Sequence, residues 1–304
     1  MSKHGSSPKT NDFGTTPIIA PQVRDHLKKY NYDVVEYLCN GSTCSVYKII
    51  DQGRKRFAAA KVMEIAKLPA LVREQLLPNE LSIVRQIQHT NIIRTEQVFS
   101  LTAYAVIVTE FATDGDLITY IEGASQPDLI SAKRWFVQVT QALKYLHGKG
   151  IAHRDIKAEN VLLFGQIAKL ADFGYAICCL DNKGEIMLCT SCCGTLEYKA
   201  PEILICTTPY NALISDCFSL GVLLYVLVTH QFPFGSGDDI RTTSGLKALY
   251  NGITHKAWQP NDIIARQYRL HCLLCQLLNP DIKERISAAQ ALEHQWIVEY
   301  KDVK

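Results

Sequence analysis

From residue 150 the chain reads Gly150-Ile151-Ala152-His153-Arg154-Asp155-Ile156-Lys157-Ala158-Glu159-Asn160-Val161-Leu162-Leu163-Phe164, and Asp172-Phe173-Gly174 follows directly after the apolar run Ala168–Ala171. A block of charged and amide side chains thus sits between two apolar strand-like runs, and a second carboxylate stands at the end of a third. Asp and Asn at loop ends offer hard oxygen ligands suited to Mg²⁺. Asp155 is placed to take a proton from a hydroxyl nucleophile, and Lys157 to offset the charge of a phosphate in transfer. One such tripeptide could be chance; the ordered set points to chemistry.

Working outward towards the N-terminus, residues 32–62 alternate short β-branched runs with the turns Asn40-Gly41 and Asp51-Gln52-Gly53, the pattern of a strand meander. A helix is expected near 70–88, with Leu76, Leu77, Ile83, Val84 and Ile87 as its apolar face and Pro78 suited to a first turn. Glu80 falls on that apolar face, where a carboxylate is costly unless paired. Lys61, inside the apolar strand 58–63, is the candidate partner. The alternative is two solvated charges at a helix edge, and the pattern alone leaves both open. Residues 97–111 again read as strand. Towards the C-terminus the period changes to helical at 131–148, 215–229, 267–278 and 287–298. A small β-rich half followed by a larger helical half predicts an α+β protein of two lobes with a cleft between them.

The 304 residues carry a net charge of +2 and are 47% hydrophobic. That excludes a mostly disordered chain and gives no electrostatic reason to expect nucleic acid as a partner. Residues 1–31, rich in Ser, Thr, Pro and Lys, predict a flexible lead-in, and no apolar leader core is visible in them. The longest apolar stretch, Leu220–Val228, is far shorter than a membrane helix requires. The expectation is a soluble protein of the cytoplasm, with the nucleus also open and no membrane partner. There are 11 cysteines. Five lie at 178, 179, 189, 192 and 193, where they read as small apolar residues or as a redox-sensitive loop. Cys189-x-x-Cys192 is half a zinc motif without a second pair, and Cys272-x-x-Cys275 reads as core.

Lys61, Glu80, the His153-to-Asn160 loop, Asp172-Phe173-Gly174 and Ala200-Pro201-Glu202 together resemble the signature set of eukaryotic protein kinases. Lys157 and the stretch Gly194–Glu202 are similar to the Ser/Thr class. Leu77-Pro78-x-Glu80, Gly115-Asp116-Leu117 and the segment from Cys179 to Gly194 are most similar to the testis-specific serine kinases of the calmodulin-kinase and AMP-kinase-like group. The resemblance implies a bilobal kinase fold: a kinase domain at 32–297, with an N-lobe at 32–112 holding one main helix, a mostly helical C-lobe at 113–297 and a short tail at 298–304. It implies ATP and Mg²⁺ as cofactors, Lys61 on the α/β-phosphates and held by Glu80, Asn160 and Asp172 on Mg²⁺, Asp155 as the base and Lys157 at the γ-phosphate. Cys39, Asn40, Gly41, Val46, Ala59, Thr109, Glu110, Ala112 and Leu162 would line the nucleotide, with Thr109 as gatekeeper. Partners would be protein substrates bearing Ser or Thr and an upstream activating kinase.

The same resemblance makes Ser191, or the adjacent Thr190, the activation-loop phosphosite that Arg154 would bind, and Thr195 a part of the substrate floor. Asp116 and Glu159 would read basic residues of the substrate. The glycine-rich loop departs from the family pattern: Cys39-Asn40-Gly41-Ser42-Thr43-Cys44-Ser45-Val46 keeps only the middle glycine. Lost glycines mean lost access to positive φ and to close phosphate approach, so weakened ATP affinity is expected. Phe218, where Trp is common, is expected to be a packing change. The alternative to an enzyme is a pseudokinase scaffold or allosteric partner with weak ATP binding.

Overall fold

Alternating apolar residues organise the first half. In the computed structural model, which describes residues 18–205, 207–258 and 260–299, β1 (Tyr32–Asn40), β2 (Ser45–Asp51) and β3 (Arg56–Glu64) form an antiparallel meander. β5 (Tyr104–Glu110) and β4 (Thr95–Ser100) complete a sheet of order β1-β2-β3-β5-β4. Asp51 shapes the β2–β3 turn by accepting from the backbone N–H groups of Gly53 and Arg54, each at 3.0 Å. Strand periodicity sends Ala58, Ala60 and Val62 to one face, with Tyr47, Ile49, Phe99, Val106 and Val108, and leaves Ala59 and Lys61 on the other.

The core face is covered by a helix. α1 (Pro21–Lys29) inserts Val23 and Leu27, and Ile19 precedes it into the same cluster. His26 meets Phe99 edge-on at 4.8 Å between ring centroids. The expected flexible lead-in at 1–31 is therefore corrected over residues 18–31; residues 1–17, and 300–304 of the expected tail, lie outside the described residues. Ile19, Val23 and Leu27 repeat every four residues, and burial against the sheet outweighs the polar composition around them.

The chain divides into two compact units: residues 18–69 with Thr95–Phe111, and Ala70–Arg94 with everything from Ala112. Residues 70–94, expected in the N-lobe, thus group with the helical unit. There Pro78 has no N–H to give the carbonyl four residues earlier, and a π turn at Val72–Leu76 leads into α2 (Leu77–Gln86). The remaining helices are α3 (Leu117–Gly123), α4 (Leu129–Gly148), α5 (Pro201–Ile205), α6 (Ala212–Thr229), α7 (Thr243–Thr254), α8 (Asp262–Ala265), α9 (Tyr268–Leu277), α10 (Ala288–Glu293) and α11 (Gln295–Val298). Two short pairs, β6 (Ile151–Ala152) with β9 (Ile177–Cys178) and β7 (Val161–Phe164) with β8 (Ile167–Leu170), frame the central loops.

α6 is the axis of this unit. Its 18 residues are long and apolar enough to cross a membrane by length and composition, which the nine-residue stretch seen in the sequence understated; 94% of them are buried here, against α4 and α9 among others. Phe218 is fully buried, stacks on Phe234 and lies under the Arg285 guanidinium at 5.1 Å. The reading of Cys272 and Cys275 as core does not hold: Cys272 is half-buried and Cys275 exposed on α9.

Candidate active site

Asp216, buried within the apolar α6, accepts from the backbone N–H groups of His153 and Arg154, both at 2.8 Å, and lies 3.1 Å from His147 Nε2. These bonds hold a loop that the backbone would otherwise resist, because Arg154 has φ +64°, rare for a non-glycine residue. His153 is fully buried, with Nε2 3.0 Å from the Ala171 carbonyl and its ring edge-on to Phe173.

Asp155 follows, 7% exposed, with both carboxylate oxygens engaged. Oδ1 accepts from the Thr195 N–H at 2.9 Å and the Thr195 hydroxyl at 2.8 Å, and Oδ2 accepts from Asn160 Nδ2 at 2.9 Å. Lys157 Nζ stands 3.2 Å from Oδ2 and donates to Thr195 Oγ1 at 2.8 Å. A cation, a hydroxyl and a carboxylate are thus linked in one network. Gly194 brings Thr195 there: its φ is +89°, and a Cβ on it would lie 2.5 Å from the Arg154 carbonyl oxygen.

Asn160 gives its amide N–H groups to the Asp155 backbone carbonyl (2.8 Å) and to Asp155 Oδ2 (2.9 Å), and its own Oδ1 remains as an acceptor. Its backbone carbonyl accepts from Ala171 N–H, immediately before Asp172. Asp172 has φ +58° and accepts from Gly174 N–H at 3.2 Å. An amide oxygen and a carboxylate, tied together through the backbone, form a hard donor set that fits Mg²⁺.

The activation segment is pinned from the same loop. Arg154 donates through Nε to the Tyr175 carbonyl and through Nη1 to Ser191 Oγ, both at 2.7 Å, and Tyr210 Oη donates to the Ser191 carbonyl at 2.7 Å. Thr190, beside it, is exposed. Glu202 closes the segment: it accepts from both terminal nitrogens of the buried Arg285, at 2.6 and 3.0 Å, and from the Ser215 hydroxyl at 2.7 Å.

Asp116 caps α3, accepting from Thr119 N–H, and α3 packs against the 3₁₀ turn Ala158–Asn160 that presents the exposed Glu159. Glu80 is 4% exposed on α2, Leu162 lies on β7 bridged to Asp116, and Ala112 begins the long second stretch of this unit. In the sheet unit the register places Cys39 opposite Val46, Val46 opposite Lys61, and Ala59 opposite Thr109, with Glu110 opposite Ala58. The β1–β2 turn closes with Gly41 N–H to the Cys44 carbonyl at 2.8 Å and the Ser45 hydroxyl to Asn40 Oδ1 at 2.8 Å.

Sequence reasoning left Asp216, Ser215, Tyr175 and Tyr210 without roles. Asp216 had a visible signal, a carboxylate inside an otherwise apolar helix; Tyr210 had none, because its contact is made only by the tertiary fold.

Residues 32–297 match the protein kinase domain family. The chain is 33% identical to testis-specific serine/threonine-protein kinase 1 of Mus musculus over 278 residues, covering 89% of this chain and 73% of that protein. It is 30% identical to testis-specific serine/threonine-protein kinase 4 of Homo sapiens over 290 residues (90% and 85%) and 31% identical to the serine/threonine-protein kinase H1 homolog of Danio rerio over 306 residues (96% and 69%).

Proposed function

The chain belongs to the protein kinase family and is a serine/threonine protein kinase similar to the testis-specific kinases, and from that premise we propose how its own residues work. The γ-phosphate of Mg-ATP is transferred to a Ser or Thr hydroxyl of a protein. The observation that carries this is the Asp155 carboxylate, bracketed by Thr195 and Asn160 with Lys157 at 3.2 Å. Asp155 orients the substrate hydroxyl and takes its proton; Thr195 and Asn160 keep the carboxylate from turning. Lys157 offsets negative charge on the transferred group. Asn160 Oδ1 and Asp172 would hold the metal, which neutralises phosphate charge when bound. Lys61 would take the α/β-phosphates, and the row Cys39–Val46–Lys61 with Ala59 and Thr109 on the same sheet would face the nucleotide.

Two acids on adjacent elements, Asp116 and Glu159, support a preference for substrates with basic residues near the target hydroxyl. Regulation runs through Ser191: a phosphate added by an upstream kinase would meet the Arg154 guanidinium, which already holds the hydroxyl at 2.7 Å. The ten described cysteines are all free thiols, which supports work in a reducing compartment such as the cytoplasm.

The test is transfer of labelled phosphate from Mg-ATP to a basic Ser/Thr peptide by the full chain, with Asp155→Asn as control. Transfer that persists in the control, or is absent from protein fully phosphorylated at Ser191, would overturn this account and leave a scaffold. Ser191→Ala and Thr190→Ala retaining full activity together would remove the regulatory part alone.

A further inference from the structure

Five cysteines lie in the activation segment, and two of them are withdrawn from the surface: Cys179 is 1% exposed and Cys189 8%. Their side chains are neighbours, each the largest influence on the other's thiol. They come from the two limbs of one excursion of the chain. Leu180 and Ile186 form an antiparallel bridge, Met187 N–H donates to the Cys179 carbonyl at 2.8 Å, and Asp181 closes the tip by accepting from Lys183 and Glu185 N–H. Each limb is also anchored. Cys179 N–H donates to the Gly150 carbonyl at 2.7 Å, and the Cys189 backbone exchanges two hydrogen bonds with Tyr210, whose hydroxyl holds Ser191.

The surroundings make the two thiols unlike. Cys189 is lowered, first by the neighbouring Cys179 thiol and then by the Arg154 guanidinium, against burial and the Asp216 carboxylate. The same neighbour, then burial, push Cys179 up. The surroundings thus favour the thiolate at Cys189 and the proton-bearing thiol at Cys179, and the thiolate is the nucleophile in thiol oxidation.

We propose that Cys179 and Cys189 are a redox-active pair that a hydroperoxide converts into a disulfide within the activation segment. The Cys189 thiolate attacks one oxygen of hydrogen peroxide; the O–O bond breaks, hydroxide leaves, and Cys189 becomes a sulfenic acid. Cys179 sulfur then attacks the Cys189 sulfur. The S–O bond breaks, hydroxide departs and takes up the Cys179 proton, and an S–S bond forms. Two thiols and one peroxide give one disulfide and two waters, with two electrons passing from sulfur to oxygen. The bond ties the limbs in the arrangement that sets Ser191 on Arg154, and a dithiol reductant reverses it.

The proposal goes beyond the kinase reading, and its test needs no turnover. Native full-length protein is treated with hydrogen peroxide, alkylated, denatured and digested with trypsin. Lys183 lies between the two cysteines, so the expected product is residues 170–183 joined to 184–199 through Cys179 and Cys189, with Cys178, Cys192 and Cys193 alkylated, and released by dithiothreitol. Cys179→Ala should abolish the linked peptide and leave a Cys189 sulfenic acid that dimedone traps; wild type should trap none. Thermal unfolding of the reduced variant confirms that it is folded, and Cys179→Ser, which is closer in size, replaces it where Ala does not fold. Cys179 and Cys189 both alkylated at a peroxide dose that oxidises the exposed Cys192, or Cys189 bridged to another cysteine, would overturn the proposal.

Discussion

The loop from His153 to Asn160 and the β1–β2 turn from Asn40 to Ser45 are built on opposite terms. In the loop the proposed chemistry belongs to side chains, and the loop is held by other side chains: Asp155 by Thr195 and Asn160, the backbone of His153 and Arg154 by Asp216. In the turn the hairpin closes on a backbone bond from Gly41 to Cys44 and a side-chain bond from Ser45 to Asn40, and Asn40, Gly41 and Ser42 are exposed. Where a side chain is the chemical agent, replacing it removes the agent. Where the backbone is the agent, side chains can depart from the family pattern and the hairpin still closes, as Cys39 and Cys44 do here.

The largest effect expected from this contrast is on Asp155→Asn, which should lower kcat by about 10²- to 10⁴-fold in steady-state peptide phosphorylation, with little change in the KM for ATP. Asp216→Asn comes next. Its amide can accept from one of the two backbone N–H groups, but its NH₂ must face the other. We expect a loss of about 1–3 kcal/mol in urea unfolding and a lower kcat; full activity in that variant would break the claim that Asp216 holds the loop. On the strand leading into the turn, Cys39→Gly should lower the KM for ATP by about three- to tenfold, the worth of about one regained hydrogen bond, and leave kcat unchanged. An unchanged KM would mean that the missing glycine costs nothing. The smallest effect belongs to Ser42→Ala, whose unfolding free energy should stay within about 0.5 kcal/mol of wild type.

The same contrast governs how far the sequence could be read. Strands β1 to β5 and the long helices α4 and α6 follow from periodicity, because burying one face or a whole helix leaves a mark on local composition. The loop residues were legible because charges between apolar strands need a reason. α1 was missed because its three buried side chains are diluted by polar neighbours, and only the sheet beneath them makes them core. The Arg154–Ser191 contact spans 37 positions and the Cys189–Tyr210 pairing 21. No local pattern encodes either, and Ser191 entered through family resemblance alone. Asp116 was expected to read substrate, yet it also caps α3, a structural use that a residue-by-residue reading does not separate from a functional one.

α1 has a practical consequence. The family match starts at Tyr32, but Ile19, Val23 and Leu27 share a core with Ile49 and Val108. A version of the chain trimmed to the matched residues would keep every group proposed for catalysis and lay bare one apolar face of its sheet, an invitation to aggregation. For this kinase the family match and the buried core begin at different residues.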